Sequence, residues 1–187
     1  MEKFLIKHRE NAIRVHNNAN CKYDGKEYVY HLDMVNEGIV KYNKIFLFPN
    51  DYKIASISSY YHDCIEDAKL TFNDIAAMSN RDIARVVLDV TDVHEENRLL
   101  RHLSTMGKTV KNHISIILKM ADIRANAIYS KETHSSMYYK YVNEYNYRKP
   151  IFTMALKWYG YKLDKEILED FWGELDEIHG IEYNLFN

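Results

Sequence analysis

The polar cluster that decides how this sequence folds and functions is the stretch 62–67, which reads His62-Asp63-Cys64-Ile65-Glu66-Asp67. It closes an apolar segment, about 52–66, whose hydrophobic residues recur every three or four positions, the spacing of an amphipathic helix. Residues four apart share a helix face, so His62 would lie beside Glu66, and Asp63 beside Asp67. The sequence therefore predicts a helix that carries one imidazole and several carboxylates close together.

No lysine or arginine interrupts this stretch, and the next basic residue along the chain is Lys69. Carboxylates this close raise one another's pKa unless a cation lies among them. A bound metal ion is the natural counter-charge. The alternative is that Glu66 and Asp67 are solvated acids on an exposed helix face, where charged residues are usually found.

Two further polar residues stand in apolar helical surroundings. His31 lies in the segment Tyr28-Val29-Tyr30-His31-Leu32, and Asp122 follows the run Ile116-Ile117-Leu118-Lys119-Met120-Ala121. An ionised carboxylate buried without a partner is very costly. Together with His62 and Asp63, these residues would form a site of two imidazoles and two carboxylates. Mixed nitrogen and oxygen ligands suit Mn²⁺, Fe²⁺, Zn²⁺ or Ni²⁺.

The remainder of the chain indicates helices. It contains 6 glycines and 2 prolines in 187 residues, well below the ~12% that these two residues usually make up. Many-stranded sandwiches and Gly-rich phosphate loops are therefore disfavoured. Periodicity predicts helices over about 4–19, 28–43, 52–66, 72–78, 80–93, 95–105, 110–130, 135–148, 151–159 and 164–178, with a polar turn at 20–26 and a break at Pro150. We predict an all-α single domain, 1–187.

Charge and cysteine content narrow the function classes. The net charge of −2 argues against a dedicated nucleic-acid-binding protein, which would carry a basic excess. Cys21 and Cys64 are too few for a disulfide scaffold and lack metal-ligand spacing. No signal-peptide pattern is present, and no apolar run approaches ~18 residues. We expect a cytoplasmic protein without nucleic-acid or membrane partners, and the sequence leaves homo-oligomer formation open.

A histidine, a later His-Asp doublet and a distant aspartate resemble the signature of the HD-domain metal-dependent phosphohydrolases. Between about residues 12 and 130, four ordered segments resemble the RelA/SpoT-type alarmone hydrolases, above all their small single-domain members. These segments are Gly25-Lys26-Glu27-Tyr28-Val29-Tyr30-His31 (family pattern G-x-P-Y-x-x-H), His62-Asp63-Cys64-Ile65-Glu66-Asp67-Ala68 (H-D-x-x-E-D-T), Val90-Thr91-Asp92 (V-T-[KD]) and Lys119-Met120-Ala121-Asp122-Ile123-Arg124-Ala125-Asn126 (K-x-A-D-x-x-x-N).

The resemblance implies an all-α HD-domain bundle with a metal site in its centre, a family-like core at about 12–130 and additional helices at 135–187. It implies one divalent ion, preferably Mn²⁺. The metal ligands would be His31, His62, Asp63 and Asp122. The catalytic residues would be Glu66 and Asp67, and the substrate-binding residues would be Lys22, Tyr28 and Asn126.

The activity implied by the resemblance is hydrolysis of the 3′-pyrophosphate of a (p)ppGpp-like nucleotide, with release of pyrophosphate. One alternative is an HD-type 5′-nucleotidase or (d)NTP hydrolase. The pair Glu66 and Asp67 favours the first reading, because the 5′-acting branches often lack that doublet. A non-catalytic nucleotide-binding regulatory module is an alternative of another class, and retention of all four ligands and both acids argues against it.

Overall fold

The computed structural model describes residues 3–181. Within this range the chain forms nine α-helices, one 3₁₀ turn at Asn43–Ile45 and one small hairpin. The elements are α1 (Lys3–Asn18), β1 (Lys22–Tyr23), β2 (Lys26–Glu27), α2 (Val29–Lys41), α3 (Pro49–Tyr61), α4 (Phe72–Met78), α5 (Arg81–Val90), α6 (Arg98–Thr109), α7 (His113–Glu132), α8 (Met137–Trp158) and α9 (Lys165–Ile178). The all-α prediction is confirmed. The ends of the predicted domain, 1–2 and 182–187, lie outside the described residues.

Helix α7 lies at the centre of the bundle. It packs against α2, α3, α5, α6, α8 and α9. A helix that is apolar on nearly all sides becomes the buried one, and α7 carries the buried residues Ile116, Ile117, Leu118, Met120, Ala121 and Ile123. Asp122 lies in the middle of this apolar helix, and only 7% of its surface is exposed. The sequence around Asp122 therefore places a carboxylate in the core.

Helices α2 and α7 approach each other closely at Gly38. A Cβ atom on Gly38 would lie 3.3 Å from Ala121 Cβ and 3.5 Å from Arg124 Cδ. Because α2 carries His31 and α7 carries Asp122, this contact also sets the distance between two of the predicted ligands.

We expect Gly38→Val to lower the free energy of unfolding by about 1–3 kcal/mol, the usual cost of overpacking an interior. Chemical denaturation measures this change. The matched control is Gly173→Ala in α9, where an added Cβ meets nothing within 4 Å and the gain in helix propensity should stabilise the fold by about 0.5–1 kcal/mol. Equal effects of the two substitutions would contradict the close approach.

The helix predicted over 52–66 ends earlier than expected, at Tyr61, so the His-Asp stretch lies in an irregular turn. The helical hydrogen-bond ladder is broken there: Cys64 N–H donates to Tyr61 O at 3.0 Å, three residues back instead of four. The His62 ring also forms a hydrogen bond, through Nδ1, to the carbonyl oxygen of Ser59 at 2.8 Å. Local side-chain bonds of this kind compete with the helix. The prediction of two stripes on one regular helix is wrong in this respect.

The break predicted at Pro150 is also wrong, because α8 continues through it. A proline inside a helix removes one backbone donor and costs about 3 kcal/mol. The buried side chains of Tyr145, Phe152 and Leu156 flank it. Burying each large apolar side chain contributes about 1.5–3 kcal/mol, which offsets the cost of the proline.

The polar turn predicted at 20–26 contains a small hairpin. Strands β1 and β2 pair there, and the two residues between them, Asp24 and Gly25, have positive φ angles of 49° and 80°.

Within residues 3–181, no helix combines the length and the apolar character needed to cross a membrane.

Candidate metal centre

Three elements bring the four predicted ligands together. His31 comes from the first turns of α2, Asp122 comes from the middle of α7, and His62 and Asp63 follow the end of α3. The Nε2 atoms of His31 and His62 lie 3.3 Å apart. Asp63 Oδ2 lies 3.4 Å from His31 Nε2 and 3.0 Å from His62 Nε2. Asp122 Oδ1 lies 3.4 Å and 3.8 Å from the same two atoms.

These separations fit a single cation. Ligand atoms that each lie ~2.1 Å from one ion are separated by ~3.0–3.4 Å. The donor atoms of His31, His62 and Asp63 all lie within 4.8 Å of one another, and Asp122 reaches both imidazoles. The side chains of the two histidines are 3% and 2% exposed. Two imidazole nitrogens and two carboxylate oxygens turned toward one buried point form a donor set for a divalent ion.

The tautomer of His62 is fixed by its own turn. Its Nδ1–H donates to the carbonyl oxygen of Ser59 at 2.8 Å, because a carbonyl can only accept. The other ring nitrogen, Nε2, then presents a lone pair to the donor cluster, as metal-binding histidines do. The turn that ends α3 thus leaves the Nε2 lone pair of His62 facing the other predicted ligands.

The electrostatics of the cluster favour a positive charge at its centre. Burial lowers the pKa of both imidazoles, but Asp63 and Asp122 overcome this effect, so the pKa of His31 is raised and that of His62 is raised well above its usual value. Burial acts to raise the pKa of the two carboxyl groups. The imidazoles, and Lys119 beside Asp122, hold both well below their usual range. Both shifts have the same cause, the two carboxylates that face the imidazoles, and both favour positive charge at this point of the molecule.

We therefore expect the affinity for a divalent cation to fall as the pH falls from 8 to 6. A metal ligand must be a neutral imidazole, and the raised pKa values of His31 and His62 keep protons on the rings that the cation has to displace. Calorimetric titration with Mn²⁺ in buffers of different ionisation enthalpy measures both the affinity and the protons released. A dissociation constant independent of pH, with no proton release, would contradict this assignment.

Glu66 lies on the α5–α6 side of the centre. Its Oε1 accepts a hydrogen bond from the backbone N–H of Asp92 at 2.5 Å. Burial raises the pKa of Glu66 to about 7, although the positive charge of Lys119 opposes the shift. A carboxyl group with a pKa near 7 can take up or release a proton at neutral pH, which suits a general base or acid.

Asp67 and Tyr28 lie next to Asp63. The Tyr28 hydroxyl donates to Asp63 Oδ2 at 2.8 Å and also contacts Asp67 Oδ2. Its ring stacks on His16, with 4.2 Å between ring centroids. Burial of the carboxyl group raises the pKa of Asp67, against the hydrogen bond from Tyr28. Tyr28, which was predicted to bind substrate, is only 8% exposed. Its hydroxyl lies between the predicted ligand Asp63 and the predicted catalytic acid Asp67.

The other two predicted substrate residues differ in position. Asn126 lies next to the centre: its Nδ2 donates to Asp122 Oδ1 at 2.6 Å, and its Oδ1 accepts from the Tyr23 hydroxyl at 3.0 Å. Lys22 lies exposed on β1 of the hairpin. The structure brings Asn126 against the ligands and leaves Lys22 at the surface.

No protein-family model and no curated protein sequence matches the chain. Its fold does match a solved structure, over 92% of this chain and 93% of the other, with a TM-score of 0.66 and 16% sequence identity. That structure is described as a metazoan ortholog of SpoT that hydrolyses ppGpp and plays a role in starvation responses. The chain has the fold of this SpoT ortholog.

The shared fold is the one that the resemblance to the RelA/SpoT-type hydrolases implied. Within this SpoT-like fold, two residues beside the centre were not predicted as site residues. Lys119 Nζ pairs with Asp122 Oδ2 at 2.9 Å, and Tyr23 stacks on the ring of His31. Lys119 stands three residues before Asp122, one helical turn away, so the K-x-A-D segment contained a signal for it. Nothing in the sequence marked Tyr23.

Proposed function

We propose that the chain is a metal-dependent phosphohydrolase of the HD type, with His31, His62, Asp63 and Asp122 as ligands of one divalent ion. The observation that carries the proposal is that the Nε2 atoms of His31 and His62, 3.3 Å apart, each lie 3.0–3.8 Å from a carboxylate oxygen of Asp63 and of Asp122. The described helices would form a single catalytic domain. Mn²⁺ is the ion that we propose, because the resemblance to the alarmone hydrolases implies it and the mixed imidazole and carboxylate ligands are compatible with it.

A divalent ion held by these residues would neutralise phosphoryl oxygens and make a water molecule a better nucleophile at neutral pH. The chain's own residues supply the proton transfers. Glu66, with a pKa of about 7, accepts the proton of the attacking water. Asp67, in contact with the Tyr28 hydroxyl, assists the attack. Asp92 fixes the Glu66 carboxylate through its backbone N–H.

The substrate that we propose is a nucleotide with a 3′-pyrophosphate, of the (p)ppGpp type. Water adds to the phosphorus attached to the 3′ oxygen, the P–O bond to that oxygen breaks, and the 3′ oxygen takes up a proton as pyrophosphate leaves. Two observations support this choice. The fold is that of a protein described as hydrolysing ppGpp, and the acidic pair Glu66 and Asp67, which the resemblance assigns to the alarmone branch, follows shortly after His62 and Asp63, with Asp67 joined to Asp63 through the Tyr28 hydroxyl.

The test is a product assay with the purified protein, Mn²⁺ and a panel of ppGpp, pppGpp, dNTPs, NTPs and NMPs. Release of pyrophosphate from ppGpp or pppGpp supports the proposal. Phosphate release from a nucleoside monophosphate, or triphosphate release from a dNTP, would replace it by a 5′-acting activity. Tight binding of a nucleotide without turnover would identify a non-catalytic regulatory module.

A further inference from the structure

The two histidines of the proposed centre are held in different ways. His62 Nδ1 is anchored to the carbonyl oxygen of Ser59. His31 Nδ1 is buried and has no hydrogen-bond partner among the described residues. Metal-binding histidines almost always donate their second ring N–H to a carboxylate, a carbonyl or water, which fixes the ring plane. Another feature must therefore orient His31.

An aromatic ring provides this orientation. The ring of Tyr23, from strand β1, stacks on the imidazole of His31 with 4.6 Å between centroids and an angle of 16° between the planes. Tyr129 of α7 packs against Tyr23 as well, at 4.9 Å. The Tyr129 hydroxyl donates to Asp24 Oδ2 at 2.8 Å, which ties the hairpin to α7. The hairpin thus holds the ring of Tyr23 stacked on the imidazole of His31.

The hydroxyl group of Tyr23 reaches a second ligand. It donates to Asn126 Oδ1 at 3.0 Å, and Asn126 Nδ2 donates to Asp122 Oδ1 at 2.6 Å. Asp122 Oδ1 is the oxygen that lies 3.4 Å from His31 Nε2. Both ends of the Asn126 amide are therefore engaged in this chain of contacts, which runs from the hairpin to the proposed centre.

We propose that Tyr23 is a positioning residue for the metal centre: its ring fixes the plane of His31, and its hydroxyl fixes Asp122 through Asn126. This inference rests on the metal site of the proposed function. It assigns Asn126 to the orientation of a ligand, and it gives the hairpin at Lys22–Glu27 a role in metal affinity.

The test uses Mn²⁺ affinity, measured by calorimetry on the full chain without nucleotide. Tyr23→Phe keeps the planar ring and loses the hydroxyl, whereas Tyr23→Leu keeps an apolar side chain and loses the ring. We expect Tyr23→Phe to bind Mn²⁺ several-fold more weakly and Tyr23→Leu about 10- to 100-fold more weakly, the usual range for partners of ligands. The visible spectrum of bound Co²⁺ should change in Tyr23→Leu and remain close to wild type in Tyr23→Phe.

The matched control is Tyr30→Leu. Tyr30 belongs to the same aromatic cluster and packs on Tyr129 at 5.8 Å, with no ring contact to a ligand among the contacts found in residues 3–181. Its loss should leave Mn²⁺ affinity unchanged. Tyr23→Leu with wild-type affinity, or Tyr30→Leu with an equal loss, would overturn the positioning role.

A second experiment tests the role of the Tyr23 hydroxyl without the Tyr23→Leu variant, so it does not depend on whether that variant folds. On an Asn126→Ala background, Tyr23→Phe should weaken Mn²⁺ binding no further, because the hydroxyl acts through the amide. Full additivity of the two substitutions would overturn the relay. A wild type that binds no divalent ion would overturn the metal centre itself, and with it the role of Tyr23. Wild-type affinity in every Tyr23 variant would remove the positioning role alone and leave the proposed hydrolase intact.

Discussion

Asp63→Ala is expected to abolish high-affinity Mn²⁺ binding and to lower hydrolysis at least about a thousand-fold, which corresponds to ~4 kcal/mol of transition-state stabilisation. Asp63 Oδ2 faces both imidazoles, at 3.4 Å and 3.0 Å, and also accepts the Tyr28 hydroxyl. Removing it deletes one predicted ligand, the carboxylate nearest to His62, and one of the two carboxylates that face His31. Calorimetry with Mn²⁺ and a steady-state assay measure the two losses.

The control for this substitution is Asp33→Asn on α2. Asp33 forms an ion pair with Arg9 of α1, with 2.6 Å between Asp33 Oδ2 and Arg9 Nη2. Among the hydrogen bonds found in residues 3–181, none joins Asp33 to a predicted ligand. It should keep both metal binding and turnover. Hydrolysis that survives Asp63→Ala would mean that the assigned centre is not the catalytic one.

Glu66→Gln is expected to separate metal binding from catalysis. The amide keeps the size of the side chain and an oxygen for the Asp92 N–H, but it cannot accept the proton of water. Loss of a general base typically costs about 10²- to 10⁴-fold in rate. Mn²⁺ affinity should change little, since Glu66 is outside the set of four converging donors. Single-turnover kinetics and calorimetry on the same preparation test both parts.

The rate of hydrolysis should depend on pH through the ionisation of Glu66. Glu66 acts as a base only when ionised, and burial raises its pKa to about 7. A cation nearby lowers that value, so the wild-type rate should fall about tenfold per pH unit below a midpoint at or under pH 7. With Mn²⁺ kept saturating at every pH, this acid limb should disappear in Glu66→Gln. Normal turnover in the variant, or an unchanged acid limb, would remove Glu66 from the mechanism.

Periodicity and composition predicted the helical fold because α7, α2 and α5 owe their burial to apolar spacing that is visible in the sequence. Two local features were not predictable in this way. Residues 62–67 have helical spacing, yet the bond from the His62 ring to Ser59 O and the shortened ladder at Cys64 end α3 at Tyr61. At Pro150 the helix continues, because tertiary burial outweighs the lost backbone bond.

The candidate site was accessible from sequence to the extent that its residues fall in motifs. His31, His62, Asp63 and Asp122 were predicted together, and the fold brings their donor atoms within a few ångströms. The contact of Tyr23 with His31 was not predictable, because it depends on how the hairpin folds back onto α2 and α7. Stacking of this kind leaves no spacing rule in a sequence.

We propose that a metal held by these four side chains promotes removal of an intact pyrophosphate from a 3′-substituted nucleotide. The most direct measurement is ³¹P NMR of ppGpp incubated with the purified chain, with Mn²⁺ and then with excess chelator. We expect equimolar GDP and pyrophosphate with Mn²⁺ and no reaction with chelator. Orthophosphate as the first product, or the same rate in chelator, would contradict it.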